Sequence, residues 1–333
     1  MMRKILGIPS WLLLTLLTTV VTQGCFLNPT ASDYYQLAKT KEKQGNYAEA
    51  IKLYNQAIDH YPNHATAYYK RGLTRKKRGN LEGAVQDFQQ AIKLNSEYEQ
   101  AYYQLAVTRK KQGDLQKALK NIKQASERNS RYLNPNQSMA YTRFSRQLKQ
   151  TLVYNQRGVK RAEKGQLEQA VEDFNQAIQQ SPNWASAYKH RGIARFQQGQ
   201  LEQAIEDFNQ AITINPNDAS TYYQRGVAYL ELGKLNSAIQ SYQKALERRG
   251  DFWQAATNIG LIRYQQGKIS QAISHWRQAL NIAGEATEPK LALAVALNQQ
   301  EKRGKALTLG KAALKADPRF AKLTFLKQNH WGE

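Results

Sequence analysis

Cysteine is almost absent. Cys25 is the single one in 333 residues, which excludes an intramolecular disulfide framework. Eight prolines and 20 glycines are too few for a collagen-like or Pro/Gly low-complexity chain. No set of apolar runs near the roughly 20 residues of a membrane-spanning helix exists, which excludes a polytopic membrane protein. Acidic residues are scarce, 26 against 48 Lys and Arg, and the net charge of +22 favours anionic partners. Catalytic constellations are missing too. His60 and His64 straddle Pro62, no His–Cys zinc spacing exists, and no phosphate-binding glycine loop or nucleophile elbow occurs. A non-enzymatic protein without metal or cofactor is expected.

The first thirty residues look like an export signal and short linker. Arg3 and Lys4 precede an apolar stretch, Ile5 to Val21, broken by Pro9 and Ser10. Its uninterrupted part, Trp11 to Val21, is far short of a bilayer core of roughly 30 Å. A cleaved signal fits better than a spanning helix. Val21-Thr22-Gln23-Gly24-Cys25 then resembles a bacterial lipobox, with Thr22 where Leu is usual. The resemblance implies a lipidated Cys25 and a membrane-anchored protein of the bacterial envelope. The other readings are an uncleaved anchor, or a Cys inside a signal cleaved elsewhere.

What dominates the remainder is repetition. "GNYAEAIKLYNQAI" returns as "GNLEGAVQDFQQAI", "GQLEQAVEDFNQAI", "GQLEQAIEDFNQAI" and "GKLNSAIQSYQKAL". The aligned glycines are Gly45, Gly79, Gly113, Gly165, Gly199, Gly233 and Gly267, 34 residues apart except for one gap of 52. Repeats begin at Ala31, Ala65, Glu99, Thr151, Ala185, Ala219, Trp253 and Thr287, the eighth with Glu301 in place of glycine. Position 8 is Gly or Ala and position 20 is Ala in every repeat; position 27 is read as Ala throughout, with Ala312 in the eighth. Such a pattern resembles the tetratricopeptide repeat, a helical hairpin of 34 residues.

The resemblance implies an all-α solenoid of about eight hairpins stacked in a right-handed superhelix with a concave groove. The small positions admit close helix approach, and large residues at positions 4 and 24 are expected to fill the space between helices, as Tyr34 with Tyr54, Tyr68 with Phe88 and Tyr188 with Phe208. The glycine at position 15 suits a left-handed residue ending the first helix. Pro62, Pro182, Pro216 and Pro318 punctuate the ends of second helices. The expected organisation is signal and linker (1–30), repeats one to three (31–132), a helical insertion (133–150), repeats four to eight (151–320) and a capping helix (321–333). The insertion of 18 residues is about five helical turns, so one extended first helix, capped near Ser138, is expected in repeat four. A separate short helix is the alternative.

Position 7 is Arg71, Arg157, Arg191 and Arg225 in four repeats, and three of these carry Asp87, Asp173 and Asp207 at position 23. Repeats without the arginine have no such Asp. This points to structural ion pairs between the two helices, Arg71–Asp87, Arg157–Asp173 and Arg191–Asp207. The alternative is an arginine ladder that grips a ligand.

In tetratricopeptide proteins, positions 5 and 9 of the first helix help line the groove. Here the candidates are Tyr35, Tyr69, Leu73, Tyr103, Val107, Val159, Ile193, Tyr223 and Val227. Tyr35 and Lys39 stand where a two-carboxylate clamp would need Lys and Asn, so a tyrosine–aliphatic groove for a peptide segment is expected. Tyr69→Ala with Tyr103→Ala is then expected to weaken capture and leave the fold intact. Residues 31–132 carry 19 basic and 10 acidic groups, whereas 151–252 carry 12 and 11. Lys41, Lys43, Arg75, Lys76, Lys77, Arg78, Arg109, Lys110 and Lys111 all fall near the ends of first helices and would align as a basic stripe toward anionic lipid. The functional expectation is a membrane-anchored scaffold that holds a protein or peptide segment in the groove, with assembly of an envelope complex as its expected setting. The alternative is binding of nucleic acid or anionic lipid by the basic arm.

Overall fold

The computed structural model describes residues 29–128 and 134–321. Cys25, the signal stretch and all but Ala321 of the expected capping helix lie outside the described residues. Among the described residues sixteen helices form eight hairpins: α1 (Ala31–Lys43) with α2 (Tyr47–His60), α3 (Ala65–Lys77) with α4 (Leu81–Leu94), α5 (Glu99–Lys111) with α6 (Leu115–Glu127), and α7 (Pro135–Glu163) with α8 (Leu167–Gln180). Then come α9 (Ala185–Gln197) with α10 (Leu201–Ile214), α11 (Ala219–Glu231) with α12 (Leu235–Arg248), α13 (Trp253–Gln265) with α14 (Ile269–Ile282), and α15 (Thr287–Gln299) with α16 (Arg303–Ala316). A 3₁₀ turn, Pro318–Ala321, follows. The described residues contain no strand. They divide into two compact units, one comprising residues up to 109 with 117–142, the other 110–116 with 143 onward. One division between the two units falls inside α7.

Local rules set each hairpin. The repeat glycines have φ between +70 and +80°, the left-handed conformation that stops a first helix and turns the chain. Glu301 holds the same conformation at φ 60° without glycine's freedom, a strained position of order 1 kcal/mol. Asn46 and Asn80 then cap the second helices, their side chains accepting from Glu49 N–H and Gly83 N–H. α7 is one continuous helix of 29 residues. It starts at Pro135, a turn before Ser138, because Asn134 accepts from Gln137 N–H at 2.9 Å and proline suits the first helical position.

In six of the eight hairpins a buried ring packs at the centre, and the third has Ile122 at that position instead. Tyr54, Phe88, Phe174, Phe208, Tyr242 and Trp276, all at position 24, are essentially fully buried. In five repeats the ring lies on the glycine at position 8. A Cβ placed on Gly72, Gly158, Gly192, Gly226 or Gly260 would lie 2.8, 2.7, 2.7, 2.6 or 2.4 Å from the facing ring. Close packing there requires the missing methyl. The eighth hairpin departs from this, with Ala294 at position 8 and Gly310 at position 24, whose Cβ positions would be an ordinary 3.9 Å apart. Its buried alanine is Ala313, seven residues after Ala306 as in the other hairpins, while Ala312 is exposed.

The expected partnership of positions 4 and 24 is corrected by helix geometry. Position 5, a further 100° around the first helix, is what meets the buried ring: Tyr35–Tyr54 and Tyr69–Phe88 centroids are each 5.9 Å apart, Tyr223–Tyr242 5.6 Å. Position-4 tyrosines instead lie against the arginines three residues on. Arg71, Arg157, Arg191 and Arg225 sit 5.2, 5.3, 5.5 and 5.4 Å from the rings of Tyr68, Tyr154, Tyr188 and Tyr222.

Candidate functional site

The arginines come first, because a ligand ladder and a structural pair differ in what already occupies them. Arg71 donates from Nε to both oxygens of Asp87, each at 3.1 Å, and from Nη2 to Oδ1 at 2.6 Å. Arg191 repeats this on Asp207 with Nη2 at 2.6 Å, and Arg157 does so on Asp173. The three carboxylates are buried, between 1 and 3% exposed. Each holds a second arginine, one helical turn after the first: Arg75, Arg161 and Arg195 at 2.9, 2.8 and 2.8 Å. The remaining Nη1 of Arg71, Arg191 and Arg225 reaches back to the preceding hairpin, to Asn55, Asn175 and Asn209 at 2.7, 2.6 and 2.7 Å. Arg225 has Ser241 in place of Asp and Tyr229 in place of the second arginine, 5.9 Å from its guanidinium. These donors have partners inside the fold.

Both additions could have been read in the sequence. Position 11 is Arg in each Arg–Asp repeat and Tyr229 where the Asp is Ser241. Position 25 is Asn just before Arg71, Arg191 and Arg225, but Gln89, Gln243 and Arg277 before the apolar Leu105, Ile259 and Leu293. Comparing positions 7 and 23 alone hides them.

Arg75 is accordingly removed from the basic stripe by its bond to Asp87. Others of the stripe are also engaged. Lys41 pairs with Glu49 at 3.3 Å and Lys77 with Glu42 at 2.9 Å. The hydrogen bond that Lys77 donates to Glu42 raises the Lys77 ammonium above its ordinary pKa. Lys76 donates to Gln104. Lys110 lies over the Phe144 ring at 5.6 Å, and burial lowers its pKa. Arg109 is half-buried, and Lys43, Arg78 and Lys111 are exposed.

The tyrosine row has a different character. Tyr35 sits between Tyr54 and His64, whose ring is 5.0 Å away, with Lys39 above it. Tyr69 sits between Phe88 and Tyr98, 4.9 Å away, and Tyr103 stacks on Tyr141 at 4.8 Å. Tyr223 sits between Tyr242 and Phe252, 4.9 Å away, and its hydroxyl accepts from Asn258 at 3.4 Å. Burial pushes Tyr69, Tyr98 and Tyr141 up to about 12. Tyr35, Tyr69, Tyr103 and Tyr223 are half-buried, and so are Leu73, Val107, Val159, Ile193 and Val227.

In the second unit position 5 is polar in three repeats. Asn155, Lys189 and Thr257 hold position 5, with Lys189 bonded to Asp218 at 3.0 Å and to Ser220 at 3.1 Å. His190 Nδ1 lies 2.9 Å from Asn155 Oδ1, an interaction suited to a neutral imidazole donating from Nδ1. Burial, aided by Lys189, pushes His190 down from 6.5 to about 4. The folded chain therefore binds this proton less readily than the unfolded chain. Stability is complete above about pH 6.5 and falls as the pH drops toward 4, by on the order of 2 kcal/mol. Melting against pH should show this limb, and His190→Asn should flatten it.

Family models described as "TPR repeat" match residues 158–199 and 192–233. Models described as "Tetratricopeptide repeat" match 35–99, 99–132 and 219–252. No curated protein matches the sequence. Among solved structures, the P58(IPK) TPR domain superposes with a TM-score of 0.60 at 16% identity, over 87% of this chain and 84% of that one. MamA from Desulfovibrio magneticus RS-1 gives 0.46 at 15% identity, over 51% and 96%. YrrB, titled as a TPR protein with an unusual peptide-binding site, gives 0.42 at 17%, over 63% and 97%.

Proposed function

We propose, for a chain that belongs to the tetratricopeptide repeat family, that it is a non-catalytic scaffold anchored in a bacterial envelope membrane through Cys25 and that it holds a peptide or protein segment against its first helices. Protein–protein interaction follows from the repeats. The single observation behind the groove is the set of half-buried tyrosines and aliphatic side chains in the first unit, Tyr35, Tyr69 and Tyr103 with Leu73 and Val107. Each ring is fixed by a neighbour, so a bound segment meets a surface already ordered, at little entropic cost.

The seating of those rings changes how the groove is tested. Tyr69→Ala with Tyr103→Ala removes packing against Phe88, Tyr98 and Tyr141 and is expected to lower the melting temperature as well as capture. Leu73→Ser with Val107→Ser is the cleaner probe. It should reduce crosslinking to the partner in cells by roughly tenfold or more while the melting temperature falls by only a few degrees. Unchanged crosslinking with this pair would overturn the groove assignment.

The anchor has its own test. Cys25→Ser should abolish metabolic labelling with a fatty acid and move the protein out of the membrane fraction. A variant that stays membrane-bound through a high-salt wash with its N-terminus uncleaved would establish an uncleaved anchor instead. The basic stripe is a weaker candidate for the main binding site, since Arg75, Lys41 and Lys77 spend their charge on Asp87, Glu49 and Glu42.

A further inference from the structure

One helix face is made of residues that belong to neither the groove nor the stripe. From Arg128 to Ala162 the sequence contains no Asp or Glu and eight Arg or Lys. Within α7, Arg143, Arg146, Lys149, Val153, Arg157 and Lys160 fall inside an arc of about 120° at 100° per residue, along ~26 Å of helix. All six are exposed, while Leu148, Thr151 and Gly158 on the opposite side are buried. The side chains of Arg143, Arg146, Lys149 and Lys160 have no partner among the described residues.

This face differs from its equivalents in two ways. Position 3 is buried in repeats two, three and five to eight, as Ala67, Ala101, Ala187, Thr221, Ala255 and Pro289, yet Val153 is 54% exposed. The arginine at position 7 elsewhere sends Nη1 to an Asn of the preceding hairpin. Among the described residues Arg157 bonds only to Asp173, and its side chain is 49% exposed. An apolar contact and a hydrogen-bond donor that elsewhere serve a packed helix are thus left open here, within a row of unpaired cations.

We propose that this face of α7 docks an acidic amphipathic helix of a partner protein, a surface additional to the groove. The occupant places an apolar residue on Val153 and carboxylates or amides opposite Arg143, Arg146, Lys149, Lys160 and Nη1 of Arg157. A second copy of the same face is excluded as occupant by like charge. A flat anionic bilayer fits less well than a helix, because the row is one helix wide and α8 beside it exposes Glu168 and Glu172.

The test uses the full chain in detergent and a fluorescein-labelled helix-forming peptide of about 20 residues, ~30 Å long, with a Leu seam flanked by Glu. Fluorescence anisotropy should show binding that weakens with salt. Arg143→Glu with Arg146→Glu and Lys149→Glu should weaken it at least tenfold, and Val153→Glu alone severalfold. The corresponding Gln triple should give an intermediate loss, and guards against misfolding of the reversed variant. Leu73→Ser with Val107→Ser should leave this affinity unchanged, which separates the proposal from the groove. An affinity indifferent to the triple substitutions overturns it. So does finding that the same substitutions abolish binding to phosphatidylglycerol vesicles or to single-stranded DNA while the peptide binds wild type and variants alike.

Discussion

Phe208→Ala is expected to destabilise the protein by about 3–5 kcal/mol in urea or thermal unfolding, the largest effect of any single truncation considered. The ring is 1% exposed and lies on Gly192 between α9 and α10, so its removal opens a cavity that the helix backbones cannot readily close. The converse change probes the same contact from the other side. A Cβ on Gly192 would come within 2.7 Å of the ring and 3.2 Å of Ala204 O. Overpacking of about 1–3 kcal/mol outweighs or offsets the ~1 kcal/mol that alanine contributes as a better helix former. In Gly192→Ala combined with Phe208→Ala, the new methyl occupies vacated space. The double variant should therefore be more stable than the two losses added together, and strict additivity would show that the two positions are not in contact.

Asp207→Ala should cost about 3 kcal/mol by the same measurement. The carboxylate is 3% exposed and accepts from both Arg191 and Arg195. Removing it leaves two guanidiniums facing each other without a counter-charge, the costly way to break such a pair. The value stays at the low end for buried pairs because the arginine side chains keep 16% and 22% of their exposure and can turn toward water. Arg191→Leu in the Asp207→Ala background should recover part of the loss. Asp173→Ala should cost less than Asp207→Ala, because its Arg157 is already half in solvent. An Asp173 effect equal to or larger than that of Asp207 would mean that burial of the arginine does not set the cost.

The sequence by itself determined the hairpin. A 34-residue period, a glycine that must adopt positive φ, small residues at positions 8 and 20 and an amphipathic second helix are local or strictly periodic demands, and each repeat meets them within its own residues. The Arg–Asp spacing was legible for the same reason, since both partners belong to one repeat. Tertiary structure decided matters that depend on rotation about a helix axis or on the neighbouring hairpin. It put Tyr35, Tyr69 and Tyr223, not their position-4 neighbours, against the buried rings. It drew Arg75 inward to Asp87 and so thinned the basic stripe. It also exposed Val153 at a position buried in six other repeats. A side chain's partner across a stacking face is set by three-dimensional approach, which a one-dimensional period specifies only when both sides of the face repeat together.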